Sequence, residues 1–157
     1  MSAAQRAVHK HTGVNWRFWG QVGLAGAGLL VSLYLTWVKL ARVTALCAGV
    51  GDCETVQNSA YSEIGGVPIA LLGAGMYAFV LVLLLVRRAG TPAQAELAWG
   101  AQLATLIAGT AFSAYLTYIE LFVINAICPW CVTSAVLILA LLALTVDDWR
   151  QQILQLR

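Results

Sequence analysis

The chain has 157 residues, of which 61% are hydrophobic and only 10% charged, with a mean hydropathy of +0.80. Soluble domains carry roughly 45–50% apolar and about 25% charged residues, so a globule of this size cannot bury so much apolar surface and lipid must be the solvent. A net charge of +2 and a pI near 8.4 give no ground for nucleic-acid binding, and the few basic residues serve as topological markers.

Residues 1–17 are polar and basic (Arg6, Lys10, Arg17) and read as a cytoplasmic tail. The first span covers 18–38, from Phe18 to Val38. At about 20 residues it is too long for a signal-peptide core, and no small-residue cleavage site follows, so it reads as a retained anchor. Gly20, Gly23, Ala27 and Gly28 within it are spaced to let helix backbones approach closely in lipid, although glycine is common in membrane helices generally.

Residues 39–66 form the only substantial loop. Asp52 suits the N-cap of a short helix starting near Cys53, with Val56, Ala60 and Ile64 recurring at helical spacing. This half-helix is expected to lie half-buried at the membrane interface and to end at Gly65-Gly66. Pro68 fits the first turn of the second span, 67–86, which Arg87-Arg88 closes. A connection with Gly90 and Pro92 leads to the third span, 97–126, which is longer than the hydrocarbon requires and so tilts or projects. Glu120, near the outer end of that span, reads as a carboxylate in reach of water or a partner, with a plain interfacial position the favoured reading. The fourth span is 129–146, and residues 147–157 are a second polar tail. Trp16, Trp19, Trp37, Trp99, Trp130 and Trp149 fall near span ends, as interfacial aromatics do.

The expectation is therefore all-α: a polytopic membrane protein built as a four-transmembrane-helix bundle, with an extracytoplasmic loop carrying a half-helix. No soluble domain fits in the remainder, so a soluble redox partner would be a separate chain. Arg6, Lys10, Arg17, Arg87, Arg88, Arg150 and Arg157 fall on one side, and only Lys39 and Arg42 on the other. The positive-inside tendency puts both termini in the cytoplasm and all four cysteines outside, where disulfides persist.

Those cysteines carry the chemistry. Cys128 and Cys131 enclose Pro129 and Trp130 at the mouth of the fourth span. With Cys128 as N-cap, Pro129 takes the first helical position and Cys131 falls in the first turn, three residues from its partner. Free N–H groups and the helix dipole favour a thiolate there. A structural disulfide is the bland alternative, and a small CxxC ring is a poor staple. A zinc site from all four cysteines is another, though the spacing from Cys47 to Cys53 exceeds the usual two to four intervening residues.

Cys47 and Cys53 are separated by Ala48-Gly49-Val50-Gly51-Asp52, whose glycines suggest a pair free to swing between partners. Disulfide exchange needs one sulfur to reach another directly, and a mobile loop pair above a rigid helix-mouth pair meets that need. Net disulfide formation also needs a two-electron acceptor. No haem, iron–sulfur or nucleotide motif is present, which leaves a quinone held between the helices.

Cys47-x5-Cys53, Ser59-Ala60-Tyr61, Gly66-Val67-Pro68 and Cys128-Pro129-Trp130-Cys131 together resemble the vitamin K epoxide reductase family in its bacterial branch, from about Val14 to Val146. The resemblance implies a four-helix bundle around a quinone, capped by the loop. It implies Cys128 and Cys131 as the active-site pair, with Cys131 nearest the quinone, and Cys47 and Cys53 as the shuttle pair serving a periplasmic thioredoxin-fold (DsbA-like) partner. It puts Ser59 at the active site as well. Tyr61, Tyr77 and Trp130 are further candidates for the quinone pocket, and no metal is expected. The implied location is the bacterial inner membrane. Many bacterial relatives carry a fused thioredoxin-like domain, which does not follow Arg157 here. Vertebrate members have a tyrosine where Ala135 stands and an asparagine where Ile69 stands, so ubiquinone or menaquinone is expected ahead of a vitamin K-like substrate, with epoxide reduction only a side activity. DsbB-type quinone-linked enzymes carry the CxxC pair in the first outer loop, the reverse of the order here. A non-catalytic membrane module with structural disulfides or zinc is the alternative from another class.

Overall fold

A computed structural model describes residues 15–47 and 51–156 of the chain. The expected basic markers Arg6, Lys10 and Arg157, and Gly49 of the loop, lie outside the described residues.

Four long helices dominate: α1 (Asn15–Ala41), α3 (Ile69–Ala89), α4 (Pro92–Ile119) and α5 (Pro129–Leu156). All four are long and apolar enough to cross a membrane. Helix α1 packs on α3 and α5, and α4 packs on α3 and α5, so the four close into a ring. Ala25, Tyr77, Val80, Leu84, Leu106, Ile138 and Leu141 fill its centre. Leu30, Val82, Leu85, Ile107 and Val136 point outward and are mostly exposed. In water such a surface would drive aggregation; in lipid it is the required solvent-facing side.

The helices run past the expected spans at several ends. Helix α4 begins at Pro92 rather than 97, because Thr91 and Gln94 form a reciprocal capping box and Pro92 sits at the first helical position. Helix α5 continues beyond 146, where Asp147 pairs with Arg17 at 2.9 Å and Asp148 reaches Arg87 at 2.6 Å. These charges extend the helix into the interface instead of ending it.

The loop also differs. Helix α2 (Cys53–Asn58) starts where expected, with Asp52 accepting from the Thr55 N–H at 3.0 Å. It stops before Ala60 and Ile64, because Ser59 adopts an extended conformation and a single 3-10 turn, Ala60–Ser62, follows. Glu63–Ile64 (β1) and Val67–Pro68 (β2) then pair antiparallel, with Ile64 opposite Val67. Gly65 and Gly66, at φ of 60° and 83°, make the two-residue turn. Positive φ at both central residues is the geometry whose twist suits a tight hairpin, so the glycine pair turns a hairpin instead of capping a longer helix.

The third span does not run unbroken to 126. A π-helical turn, Glu120–Ile124, follows α4, and Asn125 at φ 55° reverses the chain. Residues 126–128 then lead into α5, which sets the geometry of the site.

Candidate functional site

Cys47 and Cys53 are joined as a disulfide, with their Cα atoms 6.3 Å apart, and Cys128 and Cys131 are free thiols. Two seams hold the loop over the mouth of α5. On one, the Asp52 N–H donates to the Ile127 carbonyl at 3.0 Å. Gly51 beside it has φ 81°, and a Cβ there would run into the Ile127 carbonyl and the Pro129 ring, so only glycine allows this approach. On the other, the Trp130 indole N–H donates to the Leu46 carbonyl at 3.0 Å, and the Leu46 N–H donates to the Tyr34 hydroxyl at 2.9 Å. The Tyr34 and Trp130 rings meet with centroids 5.1 Å apart.

The sulfurs gather between these seams. Cys53, Val56 and Cys128 form one buried cluster, and Cys47 and Cys131 pack against it. Cys128 precedes Pro129, the first residue of α5, and its carbonyl accepts the Val132 N–H at 3.1 Å. A hydrogen bond with the Cys131 thiol holds Cys128 below the ordinary thiol range, against the opposing effect of burial.

Beneath the couple lies a cavity of about 400 Å³ between the helices. Leu35, Ile69, Met76, Phe112 and Ile138 give it carbon walls. Its walls are largely carbon, and the polar groups on them include the hydroxyls of Ser32, Ser59, Tyr77 and Ser134, the Glu120 carboxyl and the Cys131 sulfur. Apolar walls with a few convergent polar groups suit a flat, largely hydrophobic ring carrying polar oxygens.

Of the residues singled out from sequence, Cys131, Ser59, Tyr61 and Tyr77 lie on the cavity wall, while Cys47, Cys53 and Cys128 lie on the loop side of it. The Ser59 hydroxyl donates to the Val56 carbonyl at 2.8 Å and helps end α2. The Tyr77 hydroxyl is fixed at 3.0 Å from both the backbone carbonyl and the hydroxyl of Ser134. Trp130 is not among the residues of the cavity wall: its half-buried ring packs on Tyr34 and against the Cys53–Cys128 cluster, and its indole holds the Cys47 arm of the loop.

Glu120 is a correction. It was expected to meet water at the interface, but it is only 5% exposed. Its Oε2 accepts the Cys128 N–H at 3.1 Å, and its carboxyl faces the Cys131 thiol. The available signal was an ionisable side chain inside an apolar span, eight residues before a cysteine.

The vitamin K epoxide reductase family model matches residues 19–146, and the chain belongs to that family of multi-pass membrane proteins. It is similar to the thiol-disulfide oxidoreductase LTO1 of Arabidopsis thaliana, with 31% identity over 137 residues, 81% of this chain and 35% of the relative. The chain thus spans about a third of the length of that relative.

Proposed function

We propose that this chain is a membrane thiol–disulfide oxidoreductase that moves an electron pair from a thioredoxin-fold dithiol protein to a quinone and so promotes disulfide formation. One observation carries the reading: Cys53 is buried against Cys128, and Cys131, on the same helix mouth, lines the cavity. The four sulfurs therefore run in order from the loop surface to an apolar pocket.

The outer dithiol attacks the Cys47–Cys53 disulfide at Cys47, the less buried of the two, and a second attack by the partner leaves both loop cysteines reduced and the partner oxidised. The Cys53 thiolate then attacks Cys128 of a Cys128–Cys131 disulfide and displaces Cys131 as thiolate. Cys47 attacks Cys53 in turn and releases Cys128. The loop couple is again oxidised, and the electron pair rests on the inner couple, the arrangement of bonds described above. A quinone supplies the capacity to accept two electrons and two protons. Cys131, Ser59 and Tyr77 are the side chains that would hold its ring. Ile69 adds hydrocarbon to the wall, in keeping with ubiquinone or menaquinone as the acceptor.

The proposed orientation follows the charges. Arg17, Arg87 and Arg88 mark one end of the bundle as cytoplasmic, so the thiols face the periplasm of a bacterial inner membrane. Membrane-impermeant maleimide applied to intact cells after reduction should tag the loop cysteines, and tagging only after lysis would reverse this topology.

The test of function uses the purified chain. A reduced thioredoxin-fold donor should drive quinone reduction, and Cys131→Ala should lower the rate by at least about a thousandfold, because its sulfur is the sole link to the acceptor. Full activity in Cys131→Ala, or no quinone reduction by the wild-type chain, would overturn the reading.

A further inference from the structure

Glu120 takes no part in the exchanges just described, yet among the described residues it is the only buried acid. The π-helical turn sets it there. The turn begins at Glu120, whose own carbonyl accepts the N–H groups of Asn125 and Ala126, the latter at 3.1 Å. The chain thus folds back so that residue 128 meets the side chain of residue 120. π-Turns inside α-helices recur at functional sites because they re-aim side chains in this way.

The carboxyl accepts the backbone N–H of Cys128 and lines the cavity, on whose wall the Cys131 sulfur also lies. Besides the cysteine, the titratable side chains on the same wall are Tyr61 and Tyr77, and the Tyr77 hydroxyl is committed to Ser134. No lysine, arginine or histidine lines the cavity among the described residues. A carboxylate with no facing cation cannot be explained as half of an ion pair, and an uncompensated buried charge is costly. Holding the Cys128 N–H needs only a neutral acceptor, which glutamine would supply. The feature left unexplained is an acid beside a sulfur that alternates between thiol and disulfide.

We propose that Glu120 is the proton carrier of the Cys128–Cys131 couple, an assignment that rests on the exchange reading above. When the Cys53 thiolate attacks Cys128, the Cys128–Cys131 bond breaks, a Cys53–Cys128 bond forms and Cys131 departs with the electron pair. The Glu120 carboxylic acid gives its proton to that sulfur, leaving a carboxylate and a neutral thiol. When the Cys128–Cys131 bond reforms and its electron pair goes to the quinone, the carboxylate takes the Cys131 proton back and passes it to the reduced acceptor, so one of the two protons required travels through Glu120. The second comes from the Cys128 thiol. The proton that Cys53 gave up on becoming a thiolate restores the Glu120 acid for the next turnover. The carboxyl thereby keeps charge from building on a leaving sulfur in a site with no cation to meet it.

The first half of this cycle needs no quinone, which separates this test from the one above. The purified full chain, with both couples oxidised and no quinone added, is mixed with excess dithiothreitol, quenched in acid at set times and mass-tagged at free thiols. Two phases are expected, opening of Cys47–Cys53 and then of Cys128–Cys131. General acid–base catalysis contributes about 10²–10⁴-fold, so Glu120→Gln should slow the second phase by at least about tenfold and leave the first unchanged. Glu120→Asp, which keeps a titratable group, should stay within about fivefold of the wild type. A second phase in Glu120→Gln within twofold of the wild type overturns the assignment, as does a Glu120→Asp variant as slow as the glutamine. Should Glu120→Gln fail to fold, the aspartate variant decides alone, by its rate against the wild type. A wild-type chain that completes both phases but reduces no quinone removes the proposed acceptor and leaves the proton-transfer role in exchange standing.

Discussion

Tyr77 shows how tightly single side chains are fitted around the cavity. Its hydroxyl bonds to Ser134 on α5, and one edge of its ring lies against Gly28 on α1. A Cβ at residue 28 would overlap that ring, so the glycine is required by close approach; Gly23 has open space beside it and Gly20 only an ordinary contact. Overpacking of a filled core costs about 1–3 kcal/mol, and Gly28→Ala should lower the thermal midpoint in detergent accordingly, while Gly23→Ala leaves it unchanged. Equal effects at the two positions would mean that helix proximity as a whole, and not the Tyr77 contact, governs α1. The small-residue pattern in the sequence could not separate these glycines, since only the ring of a residue 49 positions away distinguishes them. The cysteines were legible because their chemistry lies in residue identity and position at span edges. Glu120 was misread because its direction depends on the π-turn and the left-handed Asn125, neither of which has a compositional signature.

The loop is the element whose position matters most, because it presents Cys53 to Cys128. Lys39, at the end of α1, holds it from below: its ammonium donates to the Gln57 carbonyl and the Ser62 hydroxyl and pairs with Glu63 at 3.2 Å. Hydrogen bonds to a charged group contribute about 1.5–3 kcal/mol. Lys39→Met should therefore speed local opening of 57–66 at least about tenfold in amide hydrogen exchange, with the bundle exchanging as before. Equal acceleration throughout the bundle would show that the loop and bundle open together. The Asp52 cap adds a pH dependence. Its hydrogen bonds to Thr55 hold the carboxyl below its ordinary value. The cap therefore stabilises α2 fully above the ordinary carboxylate range, and its contribution is lost as pH falls through the depressed value. Protection of the α2 amides should fall in acid in the wild type and be flat over that range in Asp52→Asn, as exchange measured across pH would reveal. The start of α2 and the four spans were readable from caps and apolar runs. The hairpin was not, because Gly65-Gly66 after an amphipathic stretch signals a helix stop and a tight turn equally well, and the pairing of Ile64 with Val67 decides between them.

The whole molecule is asymmetric along its axis. At the thiol end, α2 and its flanking segments cover the cavity through a few backbone bonds and carry the Cys47–Cys53 disulfide, which opens in the proposed exchange. At the opposite end, one buried amide ties all four long helices together. Gln102 on α4 donates to Gln21 on α1 at 2.7 Å and to Thr145 on α5 at 3.0 Å, and accepts from Arg87 on α3 at 2.9 Å. Arg87 continues to Asp148, and stacked Trp99 and Trp149 stand at the same end. Apolar packing between helices gains no hydrophobic driving force in lipid, so interhelical hydrogen bonds are a main source of specificity, each worth about 0.6 kcal/mol on average. Gln102→Leu removes three of them and leaves Gln21 without its donor from α4, so a loss of roughly 2 kcal/mol is expected as a lower thermal midpoint in detergent. Rates of the two dithiothreitol phases should stay at wild-type values, because no bond of this network reaches the sulfurs. Altered exchange rates in a Gln102→Leu chain that remains folded would mean that strain at the closed end is felt at the thiols, and the division into a fixed end and a working end would fail.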